Sequence, residues 1–337
     1  MKILVTGGLG FIGSHTVVAL LEKDYEVIII DNLSNTSIDV LEGITRITGK
    51  TPEFHQIDIR NKSALSRFFD EQPDIEGIIH FAAFKAVGES VEKPLDYYEN
   101  NVAALVYLLK ESCKLNQPKF IFSSSCTVYG QAEKLPITED APVQKANSPY
   151  GNTKQIDEEI IQDFINSGAN LQAISLRYFN PIGAHPTALI GELPIGVPQN
   201  LVPFVAQTAA RKREVLSVFG DDYPTEDGTC IRDYIHVMDL AEVHVIALEK
   251  LIEKDYSKPY DVFNVGTGKG NSVLDVVKTF EKVNNLKVPH KIVDRRPGDV
   301  TAAYADTTKV ESVLGWKAQR TMADALKDAW RWEQKQQ

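Results

Sequence analysis

The chain has 337 residues, 43% hydrophobic and 24% charged, the proportions of a soluble globular protein long enough for about two domains. A formal net charge of −10 argues against nucleic acid or an anionic membrane as the main partner, although a local pair of arginines can still hold a small anion. Cys113, Cys126 and Cys230 form no CxxC pair and fit a reducing compartment better than a disulfide framework.

No apolar run reaches the ~18 residues of a membrane span. The strand pattern Lys2-Ile3-Leu4-Val5 begins at once, with no signal-peptide pattern before it, so a cytoplasmic protein is expected. After the strand Ile3–Val5 comes the turn Gly7-Gly8-Leu9-Gly10-Phe11-Ile12-Gly13 and a helix over Gly13–Lys23. Val27–Ile30 is the β-branched run of a strand buried on both faces. Strands are predicted over 54–58, 77–81, 119–123 and 171–177, and helices over 62–70, 95–115 and 149–167. This alternation predicts an α/β fold, a Rossmann-type doubly wound parallel sheet.

The second half is less regular. Residues 181–203 are rich in Pro and Gly, and only 237–254, 263–265 and 273–283 read as helix, strand and helix. A smaller C-terminal α/β lobe is expected. The predicted division is a Rossmann domain of 1–178 plus about 233–262, and a smaller lobe of 179–232 plus about 263–337.

Gly7, Gly10 and Gly13 lie between a strand and a helix. Gly7 permits a tight turn, Gly10 lets backbone approach a pyrophosphate, and Gly13 allows close helix–sheet packing. The helix N-terminus offers unpaired N–H groups to phosphates. Asp31 ends the second strand 18 residues after Gly13, where a carboxylate accepts ribose hydroxyls and repels the extra phosphate of NADP. NAD is therefore the expected cofactor. Asp58, before Ile59, reads equally well as an adenine contact or a strand-end cap. His80 reads as a packed histidine, and the small residues of Phe81-Ala82-Ala83 leave room for a cofactor.

Tyr150-Gly151-Asn152-Thr153-Lys154 puts a phenol and an ammonium on one helical face, about 6 Å apart. A nearby cation lowers a phenol's pKa toward general-base range. Ser123-Ser124-Ser125 ends a strand at the side of the sheet where active-site residues gather, and a hydroxyl there can share the substrate's proton with Tyr150. No Ser/His/Asp arrangement or metal-ligand spacing accompanies these residues.

Together with Ser123–Gly130, Ser148–Lys154, Leu176–His185, Asp222–His236 and Arg295–Asp299, these residues resemble the extended short-chain dehydrogenase/reductases, and within them the sugar-nucleotide 4-epimerases, nearly end to end. The resemblance implies an NAD-dependent isomerase that interconverts UDP-glucose and UDP-galactose through a transient 4-keto sugar. It implies catalytic roles for Ser125, Tyr150 and Lys154. It implies NAD contacts at Gly7, Gly10, Phe11, Ile12, Gly13, Asp31, Asn32, Asn35, Asp58, Ile59, Phe81, Ala82, Ala83, Lys85, Asn100, Ser123, Tyr150, Lys154 and Tyr178. UDP-hexose contacts are implied at Ser125, Tyr150, Asn180, Asn200, Leu201, Phe219, Arg232, Arg296, Asp299 and Ala303. A homodimer is implied through segments around 95–115 and 149–167, with no metal, nucleic acid or membrane partner.

Ala303 stands where some members carry a bulky Tyr, and a small residue there implies tolerance of UDP-GlcNAc and UDP-GalNAc. A neighbour such as Tyr304 filling the same space is the competing possibility. The alternative function is another NAD-dependent sugar-nucleotide enzyme of the same fold, such as a 4,6-dehydratase. That chemistry uses Asp-Glu after the serine or threonine, where this chain has Cys126-Thr127.

Overall fold

The computed structural model describes residues 1–253, 256–296 and 299–336. In chain order the elements are β1 (Lys2–Thr6), α1 (Phe11–Glu22), β2 (Glu26–Asp31), α2 (Asp39–Thr48), β3 (Glu53–Gln56), α3 (Lys62–Glu71), β4 (Gly77–His80), α4 (Val87–Glu92), α5 (Pro94–Tyr97), a π-helical turn (Tyr98–Ala103) and α6 (Ala104–Ser112). There follow β5 (Lys119–Ser125), a 3-10 turn (Cys126–Tyr129), α7 (Pro149–Asn166), β6 (Gln172–Tyr178), β7 (Asn180–Ile182), α8 (Leu201–Ala209), β8 (Leu216–Phe219), β9 (Ile231–His236) and α9 (Val237–Ile252). The chain continues with β10 (Tyr260–Val265), β11 (Gly270–Ser272), α10 (Val273–Asn284), β12 (His290–Val293), β13 (Ala302–Ala303), α11 (Thr308–Leu314) and α12 (Met322–Lys335).

Seven strands form one sheet in the order β10-β6-β5-β4-β1-β2-β3. The pairings β1–β2, β1–β4, β2–β3 and β4–β5 are all parallel. The order reverses between β1 and β4, the position at which doubly wound sheets bind dinucleotides. Helices cover the sheet, which is why Ile3–Val5 and Val27–Ile30 are buried without alternation. Each such large aliphatic side chain contributes about 1.5–3 kcal/mol on burial. Helix starts follow local chemistry. Asn61 caps α3 by accepting from the Ala64 N–H, and Ser148 caps α7 by accepting from the Gly151 N–H, with Pro149 in the first turn.

By contact the chain forms two compact units. The first is 1–131, 142–177 and 241–263, and the second is 132–141, 178–240 and 264–337. In the second unit β9 pairs with β11, β13 and β7, and β8 pairs in parallel with β12. Its core joins Val205, Leu216, Val218, Tyr234, Val276, Phe280 and Leu326. The Ile137–Ala305 bridge ties segment 132–141 into that unit.

Two expectations change. The long helix predicted over 95–115 is interrupted by the π-helical turn, within which Asn100 and Asn101 are both buried. The Pro- and Gly-rich stretch predicted as surface winding contains β7 and ends in α8, because Leu201, Val202, Val205 and Ala206 find an apolar partner in that core. Helix α9 stops at Ile252; the predicted end, Lys254, lies outside the described residues.

Candidate active site

The glycine turn is built by exclusion. Gly7 has φ +69, and a Cβ there would lie 2.7 Å from the Ala82 nitrogen; a Cβ on Gly13 would lie 2.2 Å from the Gly7 carbonyl oxygen. A Cβ on Gly10 would meet only the Gly7 oxygen at 3.2 Å and otherwise project into open space. A side chain at Gly10 would therefore fill space that an extended ligand can use, and no side chain caps the N-terminus of α1 there. The turn is fastened to β2 by the Gly7 N–H donating to the Ile30 carbonyl at 2.7 Å.

Asp31 is buried. Its carboxylate accepts from the Leu9 N–H at 3.2 Å and the Leu33 N–H at 2.9 Å, so it ties the glycine turn to the end of β2. Burial pushes its pKa up, and those backbone donors pull it back. Asp58 is held by both its neighbours: Arg60 Nη2 donates at 2.6 Å and Asn32 Nδ2 at 3.2 Å. The Arg60 guanidinium lowers the Asp58 carboxyl to about 2. Phe81, Ala82 and Ala83 follow β4 half-buried, Lys85 lies 5.9 Å from the Phe11 ring centre, and Ile59 is buried. Asn35 is exposed, and Tyr178 closes β6. A turn that admits no side chain at Gly7 or Gly13, clear space at Gly10 and a carboxylate at the strand end suit a dinucleotide.

His80 is packed as expected: its Nδ1 lies 2.7 Å from Thr6 Oγ1, and burial drives its pKa down to about 3, with Lys154 adding to the effect.

The catalytic candidates meet at the end of β5. Ser125 Oγ accepts from the Thr127 N–H at 3.2 Å and from Thr127 Oγ1 at 3.0 Å, and it hydrogen-bonds toward the Tyr150 phenol. Lys154 is buried; its Nζ donates to the Ser123 carbonyl at 2.8 Å and lies 4.6 Å from the Phe122 ring centre. The expected lowering of the phenol is not what this arrangement gives. Burial pushes Tyr150 up to about 12, Ser125 pulls it down, and Cys126 and Asp157 push it further up. The Lys154 ammonium is directed to Ser123 and Phe122.

Sequence reasoning missed the network beneath this cluster. Ser124 Oγ donates to Glu158 Oε1 at 2.5 Å, Arg177 grips both Glu158 oxygens, and Arg177 Nη1 donates to Tyr129 at 3.0 Å. Thr153 and Asn101 are similarly joined, Asn101 Nδ2 donating to Thr153 Oγ1 at 3.1 Å, while Asn100 Nδ2 donates to Asn101 Oδ1. The available signal was Glu158, four residues beyond Lys154 and so on the same helical face.

The second unit holds the anion-binding candidates. Asp299 lies between two arginines: Arg232 Nη2 is 3.5 Å from its Oδ1, and Arg296 donates to it at 3.0 and 3.2 Å. Arg232 Nη1 is fixed by the Ile231 and Val300 carbonyls, both at 2.8 Å. Arg296 lies 5.6 Å from the centre of the Phe219 ring, which is 41% exposed. Ala303 is the sheet partner of Arg232, and Tyr304 lies over Gly270, where a Cβ would come within 3.1 Å of its ring. Asn180 starts β7; Asn200 donates to Glu192 at 2.6 Å just before Leu201 opens α8. In the motif Arg295–Asp299, Pro297 and Gly298 lie outside the described residues. No group of metal-binding side chains occurs among the described residues, and no described helix is long and apolar enough to cross a membrane.

Residues 4–329 match the family model described as GDP-mannose 4,6 dehydratase. The chain is 51% identical over 333 residues to UDP-glucose 4-epimerase of Bacillus subtilis, covering 99% of this chain and 97% of that protein. The chain belongs to the UDP-glucose 4-epimerase family. Two solved members superpose with TM-scores of 0.95. The Stenotrophomonas maltophila UDP-glucose 4-epimerase with bound NAD and formylated UDP-arabinopyranose is 43% identical, covering 100% of this chain and 98% of that one. The Bifidobacterium longum enzyme in complex with NAD+ and UDP is 46% identical, covering 99% and 98%. Membership fixes the extended short-chain dehydrogenase/reductase fold expected from the sequence, with NAD as cofactor.

Proposed function

We propose that this chain interconverts UDP-glucose and UDP-galactose by inverting the hexose at C4. The observation that carries this is the convergence of Ser125, Tyr150 and Lys154 at the end of β5, in the same unit as a glycine turn with clear space at Gly10. Bound NAD supplies reversible hydride exchange at C4, so the net redox change is zero.

Tyr150 takes the 4-hydroxyl proton, Ser125 shares that hydrogen bond, and Tyr150 returns the proton when the 4-keto sugar is reduced on its other face. Lys154 keeps a cation one helical turn from Tyr150, the sign of charge that favours phenolate. In the second unit Arg232 and Arg296 hold the diphosphate. A phosphate offers the guanidinium forks the paired oxygens that Asp299 now presents. Phe219 stacks on uracil, and Asn180, Asn200 and Leu201 complete the nucleotide contacts. The first unit thus binds NAD and the second the UDP-sugar. Ala303 leaves space for an N-acetyl group, so UDP-GlcNAc and UDP-GalNAc are substrates too.

A cytoplasmic location fits the three free cysteines. A homodimer fits Val87, Val91 and Leu95, which are 49%, 63% and 78% exposed at four-residue spacing on α4 and α5. Charged replacements at Val91 and Leu95 then leave a monomer by light scattering.

Purified protein incubated with UDP-galactose and no added NAD yields UDP-glucose without accumulating NADH. A 4-keto-6-deoxy product, or no conversion by protein that contains NAD, overturns the proposal. The dehydratase alternative is disfavoured by Cys126-Thr127 directly after Ser125.

A further inference from the structure

Four ionisable side chains are buried on or beside the inner face of α7: Lys154, Asp157, Glu158 and Arg177. Two of them pair completely. Glu158 takes Arg177 with both oxygens and Ser124 besides. Lys154 is left with a neutral carbonyl and a ring face, and it forms no ion pair among the described residues. Asp157 sits one turn further along the helix, 1% exposed, and its Oδ1 has no hydrogen-bond partner. A buried carboxylate oxygen without a donor is costly to keep and calls for a compensating charge. The only unpaired opposite charge in the cluster is Lys154.

Given the 4-epimerase function proposed above, on which this rests, we propose that Asp157 is a positioning residue for the Tyr150–Lys154 pair: it balances the buried Lys154 charge that Glu158 cannot, and so sets the pH range in which Tyr150 works. Its carboxyl responds accordingly. Burial pushes it up to about 7, Lys154 pulls it down, and Glu158 pushes it up. Asp157 in turn supports the charged form of Lys154 against burial and opposes ionisation of Tyr150.

The other ionisable groups on elements packed against α7 are engaged or solvated. Glu89 accepts from Tyr97 and Lys93, Tyr98 accepts from Asn152, Tyr129 accepts from Arg177, Lys119 donates to Gln172, and Glu111 pairs with Lys114. Glu92, Asp96, Glu99 and Lys110 are exposed. Cys126 acts on Tyr150, and His80 is neutral, its pKa forced down by burial.

Asp157→Asn keeps the shape and removes the charge; Asp157→Leu is a second neutral variant in case the amide finds a new partner. Losing the carboxylate favours the Tyr150 phenolate and weakens the Lys154 ammonium, so both limbs of the pH–kcat/KM profile move to lower pH, by roughly 0.5–1 unit. The Tyr150 phenol, followed by ultraviolet difference absorbance of NAD-loaded protein against a Tyr150→Phe blank, moves the same way. Profiles and phenol titrations that superimpose on wild type in both variants overturn the proposal, even if their Tm changes. The phenol titration needs no turnover, so an inactive wild type sinks the epimerase function without deciding the role of Asp157.

Discussion

Arg177 grips Glu158 at two points, Nε 2.9 Å from Oε1 and Nη2 2.5 Å from Oε2, with both side chains 9% exposed. The pair joins β6 to α7, and Ser124 extends it to β5, so one carboxylate holds the helix of Tyr150 and Lys154 in register with the strand of Ser125. Glu158→Gln leaves a buried guanidinium without its counter-charge, which costs about 3–5 kcal/mol. The expected outcome is a Tm lowered by several degrees. Activity falls chiefly through kcat, because the candidate nucleotide contacts lie in other elements. A variant with wild-type Tm and kcat contradicts the anchoring role.

Gly13→Ala tests the cofactor cradle. Its Cβ would sit 2.2 Å from the Gly7 carbonyl, so turn and helix must separate. The variant is expected to purify with little bound NAD, read from nucleotide released on heating, whereas wild type purified without added NAD already contains it. Equal NAD content in both refutes the geometry.

His80 makes stability depend on pH. Its folded pKa is depressed to about 3, below the ordinary 6.5, so the unfolded chain binds a proton that the folded one refuses. The resulting stability is present above pH 6.5 and is lost as pH falls toward 3. From pH 6.5 to 5 the loss from this group is about 2 kcal/mol. His80→Gln, which can still bond Thr6, is expected to flatten that part of the urea-midpoint profile; an unchanged slope assigns it to other groups.

Ala303→Tyr tests the sugar pocket. The ring of Tyr304 already lies over Gly270, so a new ring at 303 enters the space left by a methyl group. We expect kcat/KM for UDP-GalNAc to fall at least tenfold while that for UDP-galactose changes little. Equal losses on both substrates would refute size discrimination at this position.

Much of the first unit was legible because its signals are local. The glycine spacing and Asp31 at the end of β2 follow from backbone geometry that few other residues satisfy. The break at 98–103 was not legible, since Asn100 and Asn101 gain their burial from distant partners such as Thr153. In the second unit β8, β9 and β12 are strands of only four to six residues, β9 and β12 with little alternation, and β8 and β12 pair across a long sequence separation. Asp157 and Glu158 were invisible as functional groups for a different reason. Carboxylates on a helix are ordinarily solvated, and only packing shows that these are not.

Ser123, Ser124 and Ser125 are three identical letters whose tasks are not interchangeable. The first lends its carbonyl to Lys154, the second its hydroxyl to Glu158, and the third its hydroxyl to Tyr150. Deleting any one of the three codons yields the same protein, in which Cys126 takes the place of Ser125 at the last position of β5 and the turn after it starts one residue early. A tract that looks redundant is therefore intolerant of a change in length, while single replacements within it should give different defects, an unstable fold at 124 and a slow enzyme at 125.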